Sequence, residues 1–326
     1  MRHFLFEFIT GGGLSGQSLS ETLIKEGEIM VQTLINELSE LDGSNISLTR
    51  DSRVSLFENN TRQYVVEDTI DEKLAELIND SDVSWLIAPE TNYCLIKYAE
   101  LFIKHGNIFI GSIPDAIKTA SSKYLTNKIL SEAGVNVVDT KLISEKYPDS
   151  KTGWVVKPDD GVGGEGIRLI NNENSLSELI EAEGTKNLIV QPYLEGKHLS
   201  MSLLVFNGEV QLLACNEQYV EIKNGSIKLK AIGVNECLSF KDVMLELARK
   251  IVSVISGFAG YIGVDLIEVE KQLYVLEINP RFTTAYAGIS KSINCNVTAK
   301  ILDTFLNKKM PNIELESAKP VKIKVY

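Results

Sequence analysis

Two glycine-rich segments of this chain stand in opposite surroundings, and the contrast limits the fold more than any other feature. Gly11-Gly12-Gly13-Leu14-Ser15-Gly16 follows an apolar run over residues 3–9 and precedes a helical pattern. Gly161-Val162-Gly163-Gly164-Glu165-Gly166 lies instead between two short apolar runs, 154–157 and 167–170. Strand–glycine–helix is the turn of a parallel α/β unit, whereas strand–glycine–strand is a hairpin. The chain therefore needs two kinds of sheet, one parallel and covered by helices, the other antiparallel.

The rest of the pattern agrees. Ser18-Leu19-Ser20-Glu21 has capping-box spacing and leads into a stripe of Leu23, Val31, Leu34, Leu38 and Leu41 that Asp42-Gly43 ends. Residues 46–48, 83–88 and 107–110 read as strands, and 92–104 as a helix stopped by Gly106. Pro114 opens a helical region in which 121–133 is amphipathic and stops at Gly134. Strands then dominate, at 188–191, 199–206, 209–215, 227–231, 262–269 and 273–278, with one strong helix at 242–256. Asn207-Gly208 and Asn224-Gly225 are hairpin turns. The expected fold is thus α/β plus α+β. A parallel-sheet domain takes residues 1–113, a central part with the glycine hairpin 114–185, and a C-terminal part 186–326. A chain of 326 residues has room for these.

Composition removes several functions. Lys and Arg number 33 against 44 Asp and Glu, for a net charge of −11, which argues against a nucleic-acid binder. A small anion needs only a few local lysines and stays open. No apolar run approaches the roughly 20 residues that span a bilayer, so no membrane partner is expected. The apolar start is broken by Glu7 and followed by glycines rather than a cleavage site, unlike a signal peptide. Cys94, Cys215, Cys237 and Cys295 are scattered, as suits reduced thiols in the cytoplasm. His3, His105 and His198 lack metal-ligand spacing, so any metal is expected on oxygen ligands.

Three constellations carry chemistry. The first glycine segment has G-x-G-x-x-G form, but Gln17 stands where a phosphate-binding lysine would be, and Asp51 lies too far along to hold a ribose. It reads as a wide βα turn bordering a cleft, as a substrate-binding turn, or as a dinucleotide fingerprint. In the second segment, glycines let backbone N–H groups approach phosphates and let the loop move as a lid. Lys157 ends the preceding strand and can aim at the same anion; the plain alternative is a solvent hairpin. In the third, Asp265 and Glu277 interrupt apolar runs. A carboxylate there costs several kcal/mol unless paired or metal-bound. Glu277 and Asn279 are two apart on a strand and share a face. Such oxygens suit Mg²⁺, with a buried ion pair as the alternative.

Taken in order, these elements resemble the ATP-grasp superfamily of carboxylate–amine ligases over residues 121–281. The resemblance implies an ATP-grasp fold behind an N-terminal pre-ATP-grasp domain, with ATP and Mg²⁺, or Mn²⁺ in its place, as cofactors. It makes Lys123, within Ser122-Lys123-Tyr124-Leu125-Thr126-Asn127-Lys128, the first phosphate-binding lysine and Lys157 the second. Gly161, Gly163, Gly164 and Gly166 become the loop over ATP. Val190-Gln191-Pro192-Tyr193-Leu194-Glu195-Gly196 becomes the hinge that clamps adenine, with His198 or Glu195 at the ribose. Asp265, Glu277 and Asn279 fall on the metal ligands, and Arg281 beside the transferring phosphoryl. Three positions depart from the family: Gln191 replaces a usual Glu, His198 replaces a usual acidic residue, and Gly263 stands two before Asp265, where some members carry a catalytic Arg.

A narrower likeness rests on residues 6–13, on Lys25-Glu26-Gly27-Glu28-Ile29-Met30, on Ala88-Pro89-Glu90-Thr91-Asn92 and on residues 277–286. These are similar to the tyramine–L-glutamate ligases of methanofuran biosynthesis. That likeness implies joining the γ-carboxylate of glutamate to tyramine through an acyl phosphate, with ADP and phosphate released. Glu7, Gly12, Gly13, Glu90, Thr283, Thr284 and Tyr286 would lie near the substrates, with Glu7, Glu90 and Tyr286 the candidates for a general base. The partners are then small molecules, and a homodimer is compatible. Two rivals are a dinucleotide-dependent oxidoreductase on Gly11, Gly13 and Gly16, and a non-catalytic nucleotide-binding protein. The first leaves Lys157 and the Glu277–Asn279 pair unexplained; the second has no use for that pair.

Overall fold

The computed structural model describes residues 1–105, 107–183, 186–223 and 225–325. Gly106 and Asn224, expected as a helix stop and a turn residue, lie outside the described residues.

The first part alternates strand and helix: β1 (Arg2–Glu7), α1 (Glu21–Ser39), β2 (Asn45–Asp51), β3 (Arg62–Val66), α2 (Asp71–Asn79), β4 (Val83–Ile87), α3 (Cys94–Lys104) and β5 (Ile108–Ile110). The strands pair in parallel in the order β3-β2-β1-β4-β5. All five residues of β4 are buried, because helices cover both faces of such a sheet. Strand β3 escaped the sequence reading. It is an edge strand with only Val66 buried, and carries little apolar signal. The expected capping box is not made: α1 starts at Glu21 after Ser20, with no side-chain cap bond. The helix expected from residue 92 starts at Cys94, because Asn92 and Tyr93 are left-handed, with φ of 54° and 58°.

The expected helix over 121–133 is broken. It comprises the end of α4 (Pro114–Ser121) and all of α5 (Lys123–Glu132), divided at extended Ser122. The Ser122 hydroxyl accepts from the Leu125 N–H at 3.0 Å and starts the second helix afresh. Beyond lie β6 (Lys141–Leu142), β7 (Trp154–Pro158), β8 (Arg168–Ile170), α6 (Glu173–Glu183) and β9 (Leu188–Pro192). These strands form a small antiparallel sheet, β6-β9-β7-β8, which runs past residue 185 to Pro192.

The remaining elements are β10 (Lys197–Phe206), β11 (Glu209–Lys223), β12 (Ser226–Val234), α7 (Lys241–Val254), β13 (Gly260–Val269), β14 (Gln272–Asn279), α8 (Tyr286–Ile293), α9 (Val297–Asn307) and β15 (Val321–Lys324). Their strands form an antiparallel sheet in the order β14-β13-β10-β11-β12-β15. Asn207-Gly208 makes the β10–β11 hairpin turn, with both φ angles positive. One apolar core runs from Leu34 of α1 and Trp85 of β4 to Val264 of β13 and Ile289 of α8. The small sheet has its own core around Trp154, Val156 and Leu176. It is thus a separately packed body over the rest. Among the described residues no helix is long and apolar enough to cross a membrane.

Candidate active site

The small sheet and the six-stranded sheet face each other across a cavity of about 240 Å³. On the small sheet, Val155 and Lys157 alternate onto one face of β7, and Gln191 of β9 stands opposite Val155. All three line the cavity. On the larger sheet, Asp265 of β13 pairs in register with Ser200 of β10 on one side and Glu277 of β14 on the other, and Gly263 pairs with Asn279. Alternation thus brings Asp265, Glu277 and Asn279 to one floor.

Two ammonium groups reach that floor. Lys123 is the first residue of α5, where a cation opposes the helix dipole, so its place follows from the site rather than from helix propensity. Its Nζ lies 2.7 Å from the Gly161 carbonyl, 3.3 Å from the Asp159 carbonyl and 3.3 Å from Glu277 Oε2. Lys157 Nζ lies 4.0 Å from the same Oε2. Burial lowers Lys157 to about 8; Glu277 opposes that shift and Lys123 adds to it.

The two carboxylates are pushed in opposite directions. Burial, then the neighbouring Glu277 charge, raises Asp265. Burial would raise Glu277 as well, but Lys123 and Lys157 hold it below the usual carboxylate range. Gln218 Nε2 donates to Asp265 Oδ1 at 2.8 Å, and Asn279 Nδ2 to Oδ2 at 3.3 Å. Two adjacent carboxylates and an amide form an all-oxygen donor set beside two ammoniums. Their chemistry fits a hard divalent cation carrying a phosphate chain.

Toward the hinge the wall becomes apolar, with Val138, Leu194, Val220 and Ile267. The Thr140 hydroxyl donates to the Val138 carbonyl at 2.7 Å and so accepts from Gln191 Nε2 at 2.8 Å. That fixes the Gln191 amide and leaves its carbonyl for another donor. Tyr193 and His198 line the cavity; Glu195 is exposed and does not. Burial, then Lys157, lowers the His198 imidazole.

Over the opening lies the glycine loop. Gly161, Gly163 and Gly164 line the cavity, and Gly166 does not. Gly163, Gly164 and Gly166 have φ of +62°, +73° and +73°, a region that side-chain-bearing residues rarely enter. Asp160, which the sequence did not single out, ties the loop to the parallel-sheet domain. Its Oδ2 accepts from the Asn92 N–H at 2.9 Å, and its carbonyl from the Thr91 hydroxyl at 3.0 Å.

A second cavity, of about 500 Å³, opens on the other side of the loop, against β1, α1 and the segment after β4. Glu26, Met30, Gly163, Glu165 and Arg281 line both cavities and form the passage between them. Arg281 is held by Glu90, whose two oxygens accept from its Nε at 3.1 and 3.0 Å. Burial would lower Arg281, but Glu90 raises it, so the guanidinium stays charged. Glu26 is a further residue that went unmarked. The signal was there: it lies between Leu23 and Met30 on the apolar stripe of α1, where a charge is out of place.

Not every expected residue reaches a cavity. Thr283 and Thr284 line the first, and Gly13 and Glu7 the second. The Glu7 carboxylate is already engaged: Oε1 accepts from the Ile9 N–H at 3.0 Å, and Oε2 from the Thr10 N–H and hydroxyl at 2.6 Å each. Gly27 of α1 allows the helix to pass there, since a Cβ would lie 2.7 Å from Glu7 Oε2. Gly12 turns away onto Val66, and Glu90 serves Arg281. Tyr286 is fully buried against Phe282 and donates to Glu37 Oε2 at 2.9 Å, so it is a core residue rather than a base facing a substrate. The first glycine segment is a self-bonded βα turn, with the Gly11 N–H on the Glu7 carbonyl and the Gly13 N–H on the Phe8 carbonyl, both at 2.8 Å.

Comparison with known proteins agrees with this architecture. The ATP-grasp domain matches residues 120–285, and the pre ATP-grasp 3 domain residues 44–117. The chain belongs to the ATP-grasp family, whose fold binds ATP, and it is an ATP-dependent ligase that forms carbon–nitrogen bonds. Among its relatives is the tyramine–L-glutamate ligase of Methanocaldococcus jannaschii, 29% identical over 289 residues, 87% of this chain and 83% of that protein. An ATP-grasp superfamily protein from Archaeoglobus fulgidus has the same fold, with a TM-score of 0.74 and 23% identity over 99% of this chain and 92% of that one. N5-carboxyaminoimidazole synthetase from Staphylococcus aureus, complexed with ADP, is similar at a TM-score of 0.70 and 20% identity, covering 98% of this chain and 81% of that one.

Proposed function

We propose that this enzyme joins the γ-carboxylate of glutamate to the amine of tyramine, using ATP and releasing ADP and phosphate. The observation that carries the reading is the floor of the first cavity. Lys123, Lys157, Asp265, Glu277 and Asn279 converge there, and Arg281 opens it toward a second cavity. The ATP-grasp family and a relative named for this substrate pair support it. The free thiols of Cys94, Cys215, Cys237 and Cys295 support a reaction in the cytoplasm.

In this reading adenine lies against the apolar wall with Gln191, Tyr193 and Leu194, and His198 faces the ribose. Asp265, Glu277 and Asn279 hold Mg²⁺, which when bound neutralises phosphate charge. Lys123 and Lys157 meet the β- and γ-phosphates. Residues 161–166 cover them and exclude water. A carboxylate is a poor electrophile; phosphorylation gives it a good leaving group, and charge spreads over the transferring phosphoryl oxygens. Arg281 stabilises that charge and the oxyanion that follows. The working units are residues 1–113, the small sheet and its helices to Pro192, and the remainder.

The test is isotopic. With ¹⁸O in the glutamate carboxylate, one label should leave in inorganic phosphate, and hydroxylamine should trap a hydroxamate when tyramine is withheld. Label in AMP, or ATP turnover indifferent to any carboxylate, refutes the acyl phosphate. Labelled phosphate without transfer to tyramine refutes the amine assignment alone.

A further inference from the structure

We infer that the second cavity is the binding site of the attacking amine, with Glu26 holding its ammonium and taking its proton, and that the site selects primary amines on an apolar, aromatic tail. This inference rests on the ligase reading above and adds the site and the residue.

The argument starts from the passage. An acyl phosphate formed at the phosphate floor must lie by Arg281, which lines both cavities. ATP fills the first cavity, so the nucleophile has to come from the second. That space, about 500 Å³, is walled by Phe8, Leu14, Leu23, Ile87, Ala88 and Tyr98. The Phe8 and Tyr98 rings lie 5.8 Å apart between centroids. Such a wall favours an apolar or aromatic body over a second charged amino acid.

At the inner end stand charges of both signs. Arg281 is bonded to Glu90. Of the other charges, Glu165 is exposed on the glycine loop, and Lys97 and Glu7 are engaged elsewhere. Lys97 lies 2.5 Å from Asp71 Oδ2, and the Glu7 oxygens serve the chain turn at residues 9 and 10. Glu26 is the partly buried carboxylate at the passage itself. Arg281, the Thr284 hydroxyl and Glu165 of the glycine loop lie around it, and Glu7 lies behind Gly27 on the next residue. Burial raises the Glu26 carboxyl; Glu165 adds to this, while Arg281 and Thr284 oppose it. A carboxylate so placed is a fitting proton acceptor.

An alkylamine arrives protonated at neutral pH, its acidity being like that of lysine. One proton passes from the ammonium to Glu26, which frees the nitrogen lone pair. The nitrogen then bonds to the acyl carbon, and the bond from that carbon to the phosphate oxygen breaks, its electron pair leaving with phosphate. The second nitrogen proton goes to the departing phosphate. Amide, hydrogen phosphate and one proton on Glu26 account for all atoms and charge.

Hydroxylamine is small and largely uncharged near neutral pH, so it needs neither the apolar wall nor the base. The readout is therefore the ratio of tyramine amide to hydroxamate formed with ATP, Mg²⁺ and glutamate. Glu26→Gln should lower that ratio about 100-fold, in the range of general-base losses, and remove the acidic limb of the pH profile for tyramine. Leu14→Trp, on the half-exposed wall, should raise KM for tyramine at least tenfold with little change in kcat. Tyramine alone should raise the Tm of wild type but not of Glu26→Gln. An unchanged ratio in Glu26→Gln, or a Tm shift by tyramine equal in both proteins, overturns the inference. If wild type makes no hydroxamate yet tyramine stabilises it through Glu26, the ligase reading fails and the amine site stands.

Discussion

Lys157 is a buried cation that the fold keeps at some expense, which is the mark of a residue retained for what it binds. Its ammonium is pushed down to about 8 because burial outweighs the Glu277 charge 4.0 Å away. Since Lys123 still pairs with Glu277 at 3.3 Å, Lys157→Met should leave the ligand-free protein as stable as wild type or slightly more so. The same change should lower kcat/KM for ATP by at least about 100-fold, since a point charge on the phosphates is gone. A ligase assay beside a urea melt checks both, and near-wild-type turnover would remove Lys157 from the nucleotide site. His3 allows a pH prediction outside the site. Burial, then the N-terminal ammonium, pushes its imidazole down to about 4, against Asp82. The unfolded chain takes up this proton near 6.5. Between 6.5 and 4 the unfolded state thus holds more protons, and stability falls as pH drops. The loss should be on the order of 2 kcal/mol once solvent screening is allowed for. His3→Gln should flatten that part of the ΔG–pH curve; a curve parallel to wild type would place the acid sensitivity elsewhere.

At the scale of elements, the glycine hairpin is tethered to a strained stretch of backbone. Asp160 holds it to residues 91 and 92, and Asn92 and the following Tyr93 are both left-handed. Local strain of this kind is kept only where neighbours enforce it. Asp160→Ala should loosen the loop and let water reach the acyl phosphate. ADP release should then exceed amide formation by several-fold, whereas in wild type the two match. Hydrogen exchange over residues 160–167 should slow when ATP binds to wild type and slow less in the variant. Equal stoichiometry in both proteins would mean that the tether has no part in excluding water. The break at Ser122 belongs to the same scale. It re-aims α5 so that Lys123 begins a helix at the floor of the first cavity, whereas one continuous helix would present it from mid-turn.

For the molecule as a whole, the small sheet has its own core, and the first cavity lies between it and the six-stranded sheet. A ligand that touches both should bind the folded state alone and stabilise it by mass action. ATP with Mg²⁺ at 100 times its Kd should add about 2.7 kcal/mol, a Tm rise of several degrees. NAD and NADP should add nothing. Asp265→Asn should lower the ATP shift more with Mg²⁺ present than without it. An NAD shift larger than the ATP shift would restore the oxidoreductase reading.

Apart from β3, α2, β6, α6, α8, α9 and β15, the strands and helices, the two kinds of sheet and the charged side chains on the floor of the first cavity were legible in the sequence. The reason is that each was written locally. Glycine loops carry their own turn chemistry, and a carboxylate such as Asp265 or Glu277 inside an apolar strand announces itself within a few residues. Tertiary structure alone decided which of the other polar residues face a ligand. Tyr286 and Glu7 looked available in the chain, yet both are taken up by partners, Glu37 in one case and the turn at residues 9 and 10 in the other. Asp160 looked ordinary yet ties a loop to a second domain, and Glu26 showed only as a charge on an apolar stripe, which the fold places at the passage between two cavities. A side chain's polarity is written in its own residue, whereas its partners are set by the folded chain, whether Glu37 far along the sequence from Tyr286 or the tight turn that folds residues 9 and 10 back onto Glu7. Only the packing of α1 and the glycine loop around Arg281 creates the second cavity.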